Sequence, residues 1–201
     1  GNHVASLLHT WRPFLQSLWA AQTARGGAPT GCLWTRQIRI CLDWLQSFLE
    51  GAAGSVTRLF TLEAYLGQGK RVALLLDASP WGLGAVLRED DAYVEWFTSN
   101  IDEADVARFG FDIGSCKGQQ CWEALCALVA LRLWHPRWAH RRVLLEVRGD
   151  SVCMLTMLMQ LKARAGSIGL GLIAREVALD VAEGVYTPDV ASHVPGLAHV
   201  I

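Results

Sequence analysis

The chain has 201 residues, of which 52% are hydrophobic and 18% are charged, and its formal net charge is −1. The apolar content excludes a disordered chain, and the charge excludes a protein that binds nucleic acid through overall basicity. Because no apolar segment approaches the roughly 18 residues that a membrane span needs, and the first residues lack the order of a signal peptide, we expect an intracellular protein, cytoplasmic or nuclear, without membrane contact.

The N-terminal region, residues 1–69, carries two helical patterns. Apolar residues recur at three- and four-residue steps over 7–19 and again over 34–49, with a loop rich in Gly and Pro at 25–31 between them. Two such helices cannot bury their apolar faces on each other alone. We therefore expect this region to pack against another part of the molecule, and we interpret it as a helical connector, the tail of a larger upstream unit.

From residue 70 onward the pattern changes to strands mixed with helices. Strands are predicted at 72–76, 85–87, 93–97 and 141–150, helices at 119–134, 151–164 and 167–184, and a last extended segment at 186–196. Short turns separate the first three strands, which predicts an antiparallel meander. The long helix is expected to end near Pro136, and no element is predicted in the polar stretch 98–118. This order of elements predicts a mixed α/β domain.

Two aspartates follow predicted buried strands. Asp77 comes directly after five apolar residues, at the carboxyl end of the first strand, and Asp150 stands in the same relation to the fourth strand. If these strands are parallel neighbours joined by a helical crossover, both carboxylates emerge at one edge of the sheet. The alternative is that each Asp caps the turn or helix that follows it.

Glu123 lies in a predicted helix that is apolar nearly all round, which implies burial. A buried carboxylate is costly unless it is paired or metal-bound, and Arg132 lies too far along the helix to be its neighbour. A cation held jointly with Asp77 and Asp150 would satisfy it; the alternative is a bond to an Arg of another element. Three carboxylates without Cys or His suit Mg²⁺ or Mn²⁺, and two such ions about 4 Å apart can cleave a phosphodiester.

Four motifs together resemble the ribonuclease H domain of retroelement reverse transcriptases. They are LLLDASPWGLGAVL (74–87), CWEALCALVALRLW (121–134), VRGDSVCML (147–155) and HVPG (193–196). The resemblance covers about residues 70–201 and implies a ribonuclease H-like fold, a five-stranded mixed sheet flanked by helices. It also implies an endonuclease that cuts the RNA strand of RNA–DNA hybrids with two Mg²⁺ or Mn²⁺ ions and no small-molecule cofactor.

Matched to that family by position, Asp77, Glu123 and Asp150 correspond to metal-binding carboxylates, and His193 to a histidine that assists product release or proton transfer. The family's fourth carboxylate would fall two positions past Ile201, so we expect the ribonuclease H-like domain to be truncated at its C-terminus. Residues 1–69 resemble, more loosely, the segment that joins polymerase and ribonuclease H parts. That likeness implies an upstream reverse transcriptase domain as a partner.

Weaker nucleic-acid contacts are predicted for Ser79 and for the segment after the long helix. Arg137, Trp138, Arg141 and Arg142 stand beside the predicted helix end, which we expect to lie near the carboxylates. They could grip phosphates and stack on a base. The alternatives are that this segment is a solvated loop and that Ser79 only caps its turn.

The sequence therefore predicts a metal-dependent nuclease, and it leaves two alternatives open. One is a catalytically inactive ribonuclease H-like module that binds nucleic acid or supports a polymerase. The other is one half of a sugar-kinase-like ATPase, whose first strand also ends in Asp before glycines. That ATPase would need a second Gly-rich phosphate loop, and we find none in this sequence.

Overall fold

The computed structural model describes residues 9–24, 28–53, 62, 66, 68–141, 143–163 and 167–195. The helices are α1 (Arg12–Ala24), α2 (Thr35–Leu49), α3 (Glu103–Phe109), α4 (Gln119–Trp138), α5 (Val152–Gln160) and α6 (Ile168–Ala182), with short 3-10 helices at His9–Trp11 and Cys116–Gly118. The strands are β1 (Lys70–Ser79), β2 (Gly82–Glu89), β3 (Ala92–Asn100), β4 (Val143–Gly149) and β5 (Val190–His193). Nowhere in this part of the chain is a helix long and apolar enough to cross a membrane.

The five strands form one mixed sheet in the order β3-β2-β1-β4-β5. Strands β1, β2 and β3 are an antiparallel meander, whereas β4 and β5 run parallel to β1. This is the topology of the ribonuclease H-like fold, here with an N-terminal helical extension. The fold class predicted from the sequence is confirmed.

The meander is closed by two-residue turns, and its strands are longer than predicted. Asp90 and Asp91 both have positive φ, 43° and 75°, as a type I′ hairpin turn requires. At the other end of β2, Pro80 and Trp81 form the turn, and β1 continues past Asp77 to Ser79, which pairs with Gly82. The expectation that the strand ends just before Asp77 is wrong, because hairpin pairing with β2 extends it by three residues.

Helix α3 was missed in the stretch 98–118, whose first three residues belong to β3. The local signals of a helix are present. The Asp102 side chain accepts hydrogen bonds from the backbone N–H groups of Ala104 and Asp105, and the Asp105 side chain accepts one from the backbone of Asp102, which together form a capping box. Gly110 ends the helix in the left-handed conformation.

Helix α4 is the centre of the core. It packs on one side against β1 and β2 and on the other against α5 and α6, which is why it is apolar nearly all round. Arg132 points to α6, where it binds Glu176 and Asp180. Contrary to expectation, α4 continues past Pro136 to Trp138; Trp138 is buried, and its packing holds the last turn.

The N-terminal helices α1 and α2 are joined by stacked aromatic rings. The rings of Phe14 and Trp44 lie 4.5 Å apart and nearly parallel, and Trp11 meets Trp44 edge-on at 4.9 Å. Helix α1 in turn lies against α6, and Gln16 Nε2 donates a 2.7 Å hydrogen bond to the carbonyl of Ala163. The region thus packs on the α/β part of the molecule. The division of the chain at residue 70 stays a prediction.

Replacing Gln16 by Ala tests this docking. The change leaves the buried Ala163 carbonyl without its donor, so we expect Gln16→Ala to lower the free energy of unfolding by about 1–2 kcal/mol, measured by urea denaturation. Gln46→Ala is the matched control, because the Gln46 amide donates to Glu50 on an exposed surface of the same helix. Equal effects of the two substitutions would contradict the docking.

Candidate metal centre

The parallel pairing of β1 and β4 brings the two predicted aspartates to the same level of the sheet. Leu74 pairs with Val147 and Leu75 with Arg148, and this register, continued by two residues, places Asp77 beside Asp150. One oxygen of each carboxylate and one of Glu123 all lie within 4.8 Å of one another. The convergence that the sequence analysis required is therefore present.

Glu123 enters this cluster from the first turns of α4. Its side chain is buried, with 3% of the residue exposed. Gln119, one turn earlier, donates a 2.8 Å hydrogen bond to Glu123 Oε1 and a second hydrogen bond to the carbonyl of Ala78 in β1. Gln119 thus ties the start of the helix to the strand that carries Asp77, and it fixes the position of the Glu123 carboxylate.

The second oxygen of Glu123 has no hydrogen-bond partner in the part of the chain that the structure describes. Oε2 is buried and accepts no hydrogen bond from any residue that the structure describes. Burial, together with the nearby charges of Asp150 and Asp77, raises the pKa of Glu123 to about 7, against the hydrogen bonds from Gln119 and the Ala78 backbone, which lower it. A carboxylate in this position gains from any cation placed beside it.

Cys126, one turn after Glu123, lies behind the cluster. Its thiol donates to the backbone carbonyls of Gly84, at 3.1 Å, and Asp77, at 3.5 Å. Burial, reinforced by the Glu123 charge, raises the pKa of this thiol to about 12. Cys126 therefore stays a neutral donor that connects β1, β2 and α4, and it adds no thiolate to the cluster.

The residues present fit a hard divalent cation. Three carboxylates supply only oxygen ligands, the set that Mg²⁺ and Mn²⁺ take. Within the described ranges, no Lys, Arg or His side chain forms an ion pair with any of the three, so the alternative of an Arg partner for Glu123 finds no support there. The capping alternative also fails for Asp150, because Ser151 is the residue that caps α5.

His193 and Ser79 lie near the cluster on strands β5 and β1. His193 ends β5 opposite Gly149, and its exposed ring places Nε2 3.1 Å from the carbonyl oxygen of Asp150. The Ser79 hydroxyl accepts from the backbone N–H groups of Trp81 and Gly82. In this structure Ser79 therefore holds the β1–β2 turn.

The basic segment lies far from the carboxylates. Arg137 follows Glu123 by fourteen residues on the same helix, about 21 Å along its axis, and it binds Glu89 and Glu95. Trp138 is 5% exposed, so its ring is not available to stack on a base. The expected proximity is wrong, because α4 extends from one end of the sheet to the other. Arg141 is exposed beyond the helix, and Arg142 lies outside the described residues.

Gln119 is the site residue that sequence reasoning missed. Its signal was the four-residue spacing to Glu123, which places a Gln amide beside a Glu carboxylate on one helix face. The second contact of Gln119, to the backbone of β1, depends on how the helix crosses the sheet. That contact could not be predicted from spacing.

Comparison with known proteins gives structural likeness only. No family model matches this sequence, and no curated protein matches it. The solved structures similar to it include ribonuclease H1 from the halophilic archaeon Halobacterium salinarum NRC-1, with 16% identity and a TM-score of 0.43 over 65% of this chain and 88% of that one. Neither the identity nor the TM-score is high enough to assign an activity.

Two foamy viral structures are also similar. The native protease-reverse transcriptase of prototype foamy virus shows 12% identity and a TM-score of 0.41 over 93% of this chain. The foamy viral protease-reverse transcriptase dRH in complex with double-stranded DNA shows 11% identity and a TM-score of 0.38 over 94% of this chain. The chain spans 22% and 31% of those two chains, respectively.

The buried charge of Glu123 should lower the stability of the metal-free protein. In a chelator, Glu123→Gln removes the repulsion by Asp77 and Asp150 and the cost of burying a charge. We expect it to raise the free energy of unfolding at pH 7.5 by about 1–3 kcal/mol. Glu95→Gln, which removes a surface ion pair with Arg137, should change it by about 1 kcal/mol or less in the opposite direction. Destabilisation by Glu123→Gln in chelator would contradict this account.

Added cation should stabilise the native chain. Because a ligand that binds only the folded state raises its stability, Mn²⁺ or Mg²⁺ at millimolar concentration should increase the melting temperature measured by differential scanning fluorimetry. Asp77→Asn and Glu123→Gln should abolish the increase. An equal increase in these variants would place the cation elsewhere.

Proposed function

We propose that this chain is a metal-dependent endonuclease that hydrolyses the RNA strand of RNA–DNA hybrids and works as part of a retroelement reverse transcriptase. The observation that carries the proposal is the meeting of Asp77, Glu123 and Asp150 oxygens within 4.8 Å, around a buried carboxylate oxygen without a partner among the described residues. Divalent cations bound there would activate a water molecule and stabilise the leaving oxygen of a phosphodiester.

Each of the three carboxylates has its own part in this proposal. Asp77 and Asp150 extend from neighbouring strands and would hold the cations on the solvent side, where a phosphate can approach. Glu123 would hold them from the helix side, and its burial limits the number of water molecules that can compete as ligands. Gln119 keeps the Glu123 carboxylate in place through Oε1, so that Oε2 remains free to bind.

His193 would serve proton exchange beside this centre. With Nε2–H donating to the carbonyl of Asp150, Nδ1 is the ring nitrogen left to accept or release a proton at the substrate. The ring is exposed, so it can exchange protons with solvent between turnovers.

The substrate and the partner are proposed from the sequence motifs. The segment around Asp77 and those around Glu123, Asp150 and His193 occur in the order found in retroelement ribonuclease H domains, which favours an RNA–DNA hybrid over other phosphodiesters. Cations at the three carboxylates would also let a chain of slightly negative net charge bind a polyanion. The reverse transcriptase partner is proposed from the likeness of residues 1–69 to a connector segment.

The test is hydrolysis of an end-labelled RNA–DNA hybrid in Mg²⁺ or Mn²⁺. We expect RNA-strand cleavage by the native chain, and Asp77→Asn should reduce its rate by about 100-fold or more because a cation ligand is lost. Glu183→Gln, an exposed acid at the end of α6, is the matched control and should cleave at the native rate.

Two outcomes would decide against the proposal. Cleavage that survives Asp77→Asn would show that the carboxylates are not the catalytic centre. Hybrid binding without cleavage by the native chain, in either cation, would favour the inactive ribonuclease H-like module instead. Substrates of duplex DNA and duplex RNA, run in parallel, show whether the activity requires the hybrid.

A further inference from the structure

The turn that follows Asp77 exposes a large aromatic ring. Trp81 is 63% exposed in the β1–β2 turn, four residues after Asp77 and at most about 13 Å from it along an extended chain. Trp96 is also exposed, at 70%, but it lies in β3, the outer strand of the sheet. Trp81 therefore combines exposure with a position at the same end of β1 as the carboxylates.

Hydrogen bonds from three neighbouring segments hold this turn in place. The Ser79 hydroxyl accepts from the N–H of Trp81, and the carbonyl of Trp81 accepts from the N–H of Ile101 at 2.9 Å. The carbonyl of Pro80 accepts from the N–H of Gly114 at 2.9 Å. Because the turn is fixed from several sides, the indole is presented to solvent by a rigid support.

The indole ring rests on a loop that leads to the metal centre. A Cβ atom at Gly114 would lie 3.3 Å from Trp81 Nε1 and 3.7 Å from Cε2, so the absence of a side chain at Gly114 makes room for the ring. The same loop carries the exposed Lys117 and then enters α4 at Gln119, which contacts Glu123. An aromatic face, a cation and the three carboxylates are thus carried by connected segments.

We propose that Trp81 is a nucleotide-binding residue, whose ring packs on a sugar or base of the substrate within about four positions of the cleaved phosphate. This inference rests on the proposed nuclease function. The rise per nucleotide is about 3.4 Å along the helix axis, so the turn lies within about four steps of the carboxylates. Aromatic rings pack on bases regardless of sequence, and Lys117 is placed to meet a neighbouring phosphate.

The experiment measures affinity and turnover separately. Trp81→Ala, Trp81→Phe and the matched control Trp96→Ala are compared with the native chain in two assays. Fluorescence anisotropy with a labelled RNA–DNA hybrid in Ca²⁺, a hard cation that carboxylates also bind, gives Kd, and gel electrophoresis of the same samples checks that the hybrid stays uncut. Steady-state cleavage in Mn²⁺ gives KM and kcat. The melting temperature of each variant is measured first, and it should stay at the native value because the ring is mostly in solvent.

We expect Trp81→Ala to raise Kd and KM by about 10-fold and to leave kcat unchanged. Trp81→Phe keeps a flat ring and should stay within about 3-fold of the native Kd, and Trp96→Ala should have no effect. Comparing a blunt hybrid with one that has a single-stranded extension shows whether the indole contacts a sugar or an unpaired base. Loss of affinity for both indicates a sugar in the groove, and loss confined to the extended hybrid indicates an unpaired base.

A native Kd and KM in Trp81→Ala would overturn the inference, and so would an equal loss of affinity in Trp96→Ala. These results are distinct from failure of the proposed function. If the native chain binds the hybrid and does not cut it, the nuclease proposal fails while the Kd values still decide the role of Trp81. If the native chain binds no hybrid, both proposals are wrong.

Discussion

The burial of one carboxylate is the constraint on which the rest of this structure depends. Glu123 lies in a helix packed between the sheet and other helices, with 3% of its surface exposed. Burial of an unpaired charge is among the most unfavourable changes a protein can accommodate, and among the described residues only Gln119 donates a side-chain hydrogen bond to this carboxylate. The packing of α4 therefore makes the charge of Glu123 unfavourable, and the charges of Asp77 and Asp150 make it more so. A bound cation would compensate for this unfavourable energy.

The sheet topology brings the two aspartates to the buried carboxylate of Glu123. Because β1 and β4 are parallel neighbours, residues at equivalent positions on the two strands lie at the same edge of the sheet. The two aspartates therefore meet there although they are far apart in the sequence. The crossover between these strands contains α4, so the helix that supplies Glu123 is also the element that makes the strands parallel. One connection thus produces both the pairing and the third carboxylate.

Much of this arrangement could be predicted from the sequence. The apolar runs that precede Asp77 and Asp150, together with a Glu in an otherwise apolar helix, predicted the carboxylate cluster because one shared cation explains all three carboxylates. Capping or an Arg partner explains each residue only by itself. The predicted order of strands and helices gave the mixed sheet. These predictions succeeded because the burial of a strand or helix is visible in the local spacing of its apolar residues.

Features that depend on how far an element extends were predicted less well. The strand β1 continues past Asp77 because β2 pairs with it, and α4 continues past Pro136 to the buried Trp138; both depend on tertiary contacts. The expected proximity of Arg137 to the carboxylates failed for a different reason, which is the length of the helix itself. A helix of twenty residues carries its two ends about 30 Å apart, so Arg137 at one end cannot serve a substrate phosphate held by Glu123 near the other. Proximity in sequence to a functional helix is a poor guide to proximity in space when the helix spans the sheet.

The β1–β2 hairpin shows how the same element can combine two kinds of contact. Its first strand places Asp77 beside Asp150, and its turn holds Trp81 in solvent, while α4 anchors the strand through Gln119 and Cys126. The charge of the chain is close to zero, so affinity for a polyanion cannot come from a general basic field. It must come from local contacts, and a rigid hairpin that carries a metal ligand and an aromatic face within a few nucleotide steps can supply them without a large positive surface.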